Sequence, residues 1–413
     1  MDVLFAPIGD PTSYEEVTYI VDKEDGGQVS EFTNASFIAI SKALNLNKDE
    51  IIVYAGLSLC DNSCTDLDCC RDSIRNKVSN KLGNNFKLLI SPNIYGTRFT
   101  QKDRRNTLYF NFVYFNSLKI LEDKKPDKVY IDITHGMNYM QLLATDAIKL
   151  ATYTYMIEKD KEGVELKVYN SEPVVKGNKG PYKIDAIYSE KLTTRQAILS
   201  IISPFLSKEG KNVIKNKVFK EIGDSSCNPD FVYHVVNALS GGIFLYLLLS
   251  KDKIDACLKA VENKLQKLDS ENLNIKITFD KGNVIYDESM HIEVSYLHSL
   301  LMISKHIAEG NNTLKNIRRM AEKYSTSDSV KYLILNEINN IENIVKKIGG
   351  IEKPMILADV MKKEEEEVKI CSVDKRNLYA HVGFEKNVTF LWNCGEDICV
   401  DYKDCIKNVE EQL

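Results

Sequence analysis

One change of hydrophobic period divides this chain. Up to about residue 190, apolar runs at 3–8, 51–57, 86–90 and 129–133 alternate with helix-like stretches such as 30–44 and 105–121. The runs are short, rich in β-branched and aromatic residues, and lack in–out alternation. They read as strands buried on both faces of a mostly parallel sheet, covered by βαβ crossover helices. Two further strands, 164–170 and 183–188, flank the Gly/Pro/Lys-rich stretch 172–181 and are expected to complete the sheet as antiparallel members. Past residue 190, apolar residues recur at helical spacing over 197–206, 233–249, 254–268, 291–308 and 329–348. Two hairpins interrupt that helical part: 273–286 around Asp280-Lys281-Gly282-Asn283, and VTFLWNC–DICVDY around Gly395-Glu396. The fold class expected is an α/β domain followed by a mainly α-helical domain with inserted β-hairpins. The expected division is 1–190, a linker or small helical element at 191–229, and 230–413.

A chain of 413 residues fits two or three domains and can hide roughly three quarters of its unfolded surface without metal or disulfide staples. The formal net charge of −5 excludes a uniformly basic nucleic-acid coat but leaves room for a local basic cleft. The opening MDVLFAPIG reads as a first strand and not as a targeting leader, and a cytoplasmic location is expected. Residues 231–250 include His234, Asn237, Ser240, Gly241 and Gly242, and their unbroken apolar part is too short for a bilayer. They are expected to form a core helix, with no membrane role. The run Lys362 to Glu367 reads as a solvated helix face.

Ten cysteines are unevenly spread, with Cys60, Cys64, Cys69 and Cys70 close-set and Cys394, Cys399 and Cys405 near the end. The first cluster lacks the paired CxxC or accompanying histidines of common zinc sites. A metal site and a surface loop of free or locally paired thiols both stand as readings, with no metal assigned. Disulfides inside cells are usual only in hyperthermophiles.

Two loops lie at carboxyl ends of the predicted parallel strands, where open α/β sheets bind ligands. The first is Ile8-Gly9-Asp10-Pro11-Thr12-Ser13. The second is Asp132-Ile133-Thr134-His135-Gly136-Met137-Asn138, leading into a helix from about Tyr139. Gly136 permits close approach of a ligand, and the helix N-terminus aims free N–H groups at an anion. Thr134 and Asn138 supply a hydroxyl and an amide able to read a base or ribose. Equally, Thr or Asn can cap the helix and His135 can be a satisfied turn residue. Neither GxGxxG nor GxxxxGK[ST] is present, so dinucleotide and P-loop readings lose support.

In the second domain the segment Asp374-Lys375-Arg376-Asn377-Leu378-Tyr379-Ala380-His381-Val382-Gly383 stands out. Asn377 and His381 are four apart and share a helix face. Arg376 is five from His381, about 140° round an ideal helix. Two copies meeting across a two-fold axis are able to bring both pairs around one cleft. Such a pair suits metal-free RNA cleavage: a histidine moves the 2′-hydroxyl or leaving-group proton, and an arginine holds the charged phosphate. Arg376 paired only with Asp374 or a nearby Glu is the structural alternative. His291, His298 and His306 fall at intervals too long for helix-borne metal ligands, and Arg318-Arg319 with Lys323 fit a solvated face.

Taken together, LFAPIGDPTSY, IDITHGMNYM and RNLYAHVGFEKN resemble the CRISPR-associated ribonucleases of type III systems that join a CARF sensor domain to a HEPN effector domain. The resemblance covers most of the chain in motif order and spacing and is weakest at 190–230 and in the Cys60–Cys70 loop. It implies a Rossmann-like CARF domain binding a cyclic oligoadenylate, most often cyclic tetraadenylate, across a homodimer interface. By position, Gly9, Asp10, Thr12 and Ser13 line one side of that ligand site and Thr134, His135, Gly136, Met137 and Asn138 the other. It further implies that Arg376 and His381 match the family's R-x4-6-H motif, with Asn377 at the polar position after the Arg. The activity implied is cleavage of single-stranded RNA, with no cofactor required beyond the activator, leaving 2′,3′-cyclic phosphate ends. A CARF-type, ligand-gated DNA-binding transcription regulator is the alternative; it expects a basic recognition helix around 210–222.

Overall fold

The first apolar run forms β1 (Asp2–Ile8), buried from Val3 onward because it lies inside a sheet covered on its faces. The chain continues through β2 (Val17–Asp22), β3 (Gln28–Thr33), β4 (Ile51–Gly56), β5 (Lys87–Ser91), β6 (Phe99–Gln101), β7 (Lys128–Asp132), β8 (Glu165–Ser171) and β9 (Tyr182–Lys191). All but β6 join one eight-stranded sheet in the order β3-β2-β9-β8-β7-β1-β4-β5. Helices α1 (Ser36–Ala43), α2 (Leu67–Leu82), α3 (Thr107–Lys124) and α4 (Asn138–Glu158) pack on it. This is a computed structural model, and it describes residues 1–101, 107–280, 282–361 and 368–413. Arg105, Lys281 and the Lys362–Glu367 run therefore lie outside the described residues.

Two expectations about the sheet-bearing part need correction. First, β8 is not an antiparallel member against its neighbour β7; the two run parallel, with Lys128 opposite Glu165. The crossover helix α4 returns the chain to the end where β7 began, so β8 must repeat its direction. The short 172–181 connection then makes β9 antiparallel to β8, while β9 runs parallel to β2. Second, 30–44 is not one helix. Gln28–Thr33 is an edge strand antiparallel to β2, and the helix starts only at Ser36. The strand's alternating burial reveals a period of two that the following helical residues mask.

The chain divides into two compact units, Met1–Thr193 with Asn263–Ser295, and Thr194–Glu262 with Tyr296–Leu413. Residues 263–295 thus belong with the sheet, although in sequence they follow helices of the second half. Their hairpin, β10 (Ile277–Asp280) and β11 (Asn283–Tyr286), adds to β6 through parallel pairing. Two buried asparagines of α3 hold the remainder. Asn111 Nδ2 donates to the carbonyls of Met290 (3.2 Å) and His291 (3.1 Å), and its Oδ1 accepts from Ser295 Oγ. Asn116 donates to Leu268 O (2.9 Å) and accepts from Ser270 N–H (2.9 Å).

The second half carries α5 (Thr194–Leu206), α6 (Pro229–Gly241), α7 (Phe244–Leu249), α8 (Lys251–Leu265), α9 (Glu293–Ile307), α10 (Leu314–Tyr324), α11 (Asp328–Lys347) and α12 (Lys375–Ala380). The single helix expected over 233–249 breaks between α6 and α7. Gly242 stands there at φ +71°, and a Cβ on it would meet Val330 Cγ1 at 2.5 Å. Residues 208–222 are helical and stop at Gly223, φ +67°. The terminal hairpin forms as expected: β13 (Phe390–Cys394) turns at Gly395-Glu396 into β14 (Asp397–Asp401), with β12 (Met355–Ile356) alongside. Among the described residues no helix is long and apolar enough to cross a membrane.

Replacing Asn111 with Ala would strand the buried Met290 carbonyl and remove the partner of Ser295 Oγ, while His291 O would keep only its bond from Val294 N–H. The expected loss is about 1–3 kcal/mol, read as a lower urea midpoint for the sheet-bearing unit; an unchanged midpoint would show that Asn111 does not hold residues 263–295.

Candidate functional site

The two predicted ligand loops meet in the structure. β1 and β7 are parallel neighbours, so the loops at their carboxyl ends emerge side by side. Gly9 and Gly136 are their point of closest approach. A Cβ on Gly9 would stand 3.2 Å from Gly136 Cα, and Gly136 itself sits at φ +130° with Pro7 O 3.3 Å from its Cβ position. Only glycine gives the backbone this conformation and this clearance.

Asp10 begins a short 3-10 turn (Pro11–Ser13), its Oδ1 accepting from Thr12 N–H (3.0 Å) and Thr12 Oγ1 (2.7 Å). Asp10, Thr12 and Ser13 are exposed. Across from them, α4 starts at Asn138 with Met137 at its N-cap and no side-chain cap. The capping role open to Thr134 or Asn138 is therefore not taken up. Thr134 Oγ1 instead accepts from Ser171 N–H at the end of β8 (3.0 Å), and Asn138 is exposed. An uncapped 21-residue helix leaves its first N–H groups facing the loop surface.

His135 is engaged within the protein. Its ring stacks on Tyr14 with centroids 4.3 Å apart, and its Nε2 accepts from Ser36 N–H (3.2 Å) beside Tyr19 Oη (3.4 Å). Burial holds its pKa below the ordinary imidazole range, against the opposing charge of Asp132. Asp132 is itself tied to Ser36 Oγ and Thr134 N–H. Tyr14 Oη accepts from Gly9 N–H (2.8 Å), so His135 supports the first loop through Tyr14. Asn93 adds a second support: its amide contacts Ser58 N–H, Ser58 Oγ and Tyr139 Oη, directly after the second loop. Tyr14, Ser36 and Asn93 were not singled out from sequence. Only Tyr14, inside the GDPTSY stretch, carried a local signal.

In the second unit, Asn377 and His381 line one cavity of about 480 Å³ with Glu337, Asn340, Lys347 and Glu385. Asp374 caps α12 by accepting from Asn377 N–H (3.2 Å). The helix ends at His381 in a Schellman turn: Gly383 N–H donates to Leu378 O (2.8 Å) and Val382 N–H to Tyr379 O (3.2 Å). Val382 adopts φ +44°, a strained state for a β-branched residue. Tyr402 Oη anchors the turn by donating to Gly383 O (2.9 Å). Arg376, by contrast, is exposed and does not line the cavity, as its angular offset from His381 requires. Asp374 caps the helix and forms no ion pair with Arg376.

His381 Nδ1 stands 3.3 Å from Glu337 Oε1 of α11. Glu337 escaped the sequence reading because nothing in its own neighbourhood points to a histidine so far along the chain. Burial raises the Glu385 carboxyl above its ordinary pKa, while hydrogen bonds from Asn387 oppose the rise.

The cysteine cluster resolves as local pairs, Cys60–Cys70 and Cys64–Cys69. The sulfurs of Cys60, Cys64 and Cys70 lie within 4.8 Å of one another, the spacing a metal site would also use. The other cysteines pair as Cys227–Cys257, Cys371–Cys405 and Cys394–Cys399. Arg318 is engaged by Glu342 (3.0 Å), in keeping with a solvated face.

Comparison with known proteins matches both units to parts of one kind of protein. Residues 3–173 match the family model of the CARF domain of CRISPR system endoribonuclease Csx1, and residues 327–404 match that of its HEPN domain. A CRISPR system endoribonuclease Csx1 from Methanocaldococcus jannaschii is 25% identical over 418 residues, covering 94% of this chain and 86% of the relative.

The depressed pKa of His135 has a sign that can be tested. A histidine held neutral in the fold leaves the unfolded chain binding more protons, so stability is full above about pH 6.5 and declines as pH falls below it. His135→Gln should flatten that decline in a thermal melt series from pH 7 to 5; an equally steep decline in the variant would contradict the assignment.

Proposed function

The chain belongs to the CARF–HEPN family of CRISPR-associated endoribonucleases, and we propose that it is a metal-independent nuclease for single-stranded RNA, switched on by a cyclic oligoadenylate. The observation that carries this reading is the meeting of Asn377 and His381 on one cavity within the HEPN-matched stretch. In the proposed reaction the 2′-hydroxyl oxygen attacks the neighbouring phosphorus and the bond to the 5′-oxygen breaks. His381 takes the hydroxyl proton or returns one to the leaving oxygen, and a 2′,3′-cyclic phosphate remains. Arg376 holds the charge that builds on the phosphoryl oxygens. Since Arg376 does not line its own chain's cavity, the complete site is built by a homodimer in which two copies bring their Arg and His side chains around one cleft.

Cyclic tetraadenylate is the proposed activator. Gly9, Asp10, Thr12 and Ser13 face it from the first loop, and Thr134, Gly136, Met137 and Asn138 from the second. The uncapped N-terminus of α4 offers N–H donors to its phosphates. His135 is assigned a supporting place, since its Nε2 is already bonded within the protein. A switch from mostly off to mostly on needs ~10⁴-fold tighter binding to the active arrangement, and several phosphates on oriented N–H groups are a suitable source of that preference.

The test is cleavage of end-labelled single-stranded RNA by the full chain, with and without cyclic tetraadenylate, in the presence of EDTA. His381→Ala and Arg376→Ala should each lower the activated rate by ~10²–10⁴-fold. Asn138→Ala should instead raise the concentration of cyclic tetraadenylate needed for half-activation. Full activity in the His381 variant sinks the site assignment, and loss of activity in EDTA sinks metal independence. Salt-sensitive binding to duplex DNA without RNA cleavage would favour the regulator reading.

A further inference from the structure

Glu337 reaches the proposed catalytic histidine, and the reaction described above does not use it. It lies on α11, whose residues Glu337, Asn340, Ile341 and Ile344 fall at helical spacing and line the same cavity as His381. The packing of Ile341 into the core fixes the rotation of the helix, and that rotation sets Glu337 toward the cavity. Its side chain is 17% exposed against 49% for His381, so the carboxylate approaches the ring from the protein side, Oε1 to Nδ1 at 3.3 Å.

Among the described residues, the other charged groups lining the cavity are Lys347 from α11 and Glu385 and Lys386 from the turn after His381. Glu385 accepts from Asn387 N–H (2.7 Å) and Asn387 Nδ2 (3.1 Å) within its own turn and also interacts with the charge of His381, but the carboxylate within ion-pair distance of Nδ1 is that of Glu337. The lysines donate and cannot accept a ring proton. Among the described residues, Glu337 is thus the carboxylate placed to accept from Nδ1.

We propose that Glu337 is a positioning residue: its carboxylate accepts the Nδ1–H of His381 and fixes the tautomer that leaves Nε2 bare for the cavity. When Nε2 takes a proton, the same carboxylate steadies the imidazolium. The logic is that of a base oriented by a third group. The inference rests on the reading of His381 as the proton-transfer residue, and one of its tests does not depend on RNA cleavage.

That test is the ¹⁵N spectrum of imidazole-labelled protein above neutral pH, with the His381 signals identified by their loss in His381→Ala. The wild type should show His381 protonated at Nδ1, and Glu337→Ala should shift it toward the Nε2–H form. In cleavage assays with cyclic tetraadenylate, Glu337→Ala should lower kcat by ~10–10²-fold, with KM and the half-activating ligand concentration nearly unchanged. Glu337→Gln, which keeps the shape, should also lose kcat, and Glu337→Asp should recover part of it. A wild-type His381 protonated at Nε2, or Glu337 variants with wild-type kcat beside an inactive His381→Ala, overturns the assignment of Glu337 alone. Full activity in His381→Ala overturns the reading beneath it.

Discussion

The close approach of two backbones at Gly9 and Gly136 is the constraint on which the first unit's surface depends. Parallel neighbours β1 and β7 deliver their loops to the same edge of the sheet, but neighbouring strands alone do not make one surface from two loops. The absence of a Cβ at either position does. It lets the turn Asp10–Ser13 and the start of α4 share one face, with Tyr14, His135 and Ser36 forming a hydrogen-bonded and stacked layer behind it. A side chain added at Gly9 or Gly136 would press on the backbone of the other loop or of β1.

The second unit solves a similar problem by another route. His381 is the C-cap of a six-residue helix, too short to be stable by its own hydrogen bonds. Its placement comes from both ends: Asp374 caps the start, and a Schellman turn through Val382 and Gly383 locks the finish onto Tyr402. Gly383 has no room for a larger residue, since a Cβ there would meet Ile243 Cγ2 at 2.7 Å. The left-handed Val382 costs of order 1–2 kcal/mol, a strain that the surrounding packing must offset next to the histidine.

What could be read from sequence followed from whether a signal was local. The parallel strands 3–8, 51–57 and 129–133 were legible because burial on both faces writes an unbroken apolar run. The edge strand β3 and its neighbour β2 were missed, since Thr18, Asp22, Gln28 and Ser30 on their more exposed sides dilute the pattern and the next helix follows closely. The hairpin at 273–286 was recognised as a hairpin, but its partner β6 lies far back in the chain, and periodicity carries no address. The same limit hid Glu337. Asn377 and His381 announced themselves by their spacing on one helix turn, whereas their acidic neighbour comes from α11, and Asn93 from the loop after β5. Motif spacing supplied the chemistry, and only tertiary placement supplied its partners.

The return of residues 263–295 to the sheet-bearing unit sets an order on how this molecule is made. Ribosomal synthesis generally lets an N-terminal domain fold before the next one emerges. Here the first unit remains unfinished until residue 295 has left the exit tunnel, with residues 194–262 of the other unit already outside. Until then Asn111, Asn116 and the free edge of β6 wait for partners, exposing amides and an unpaired strand. No single cut in the chain separates the two units, and a fragment ending at Thr193 would be a nascent-chain intermediate rather than a domain.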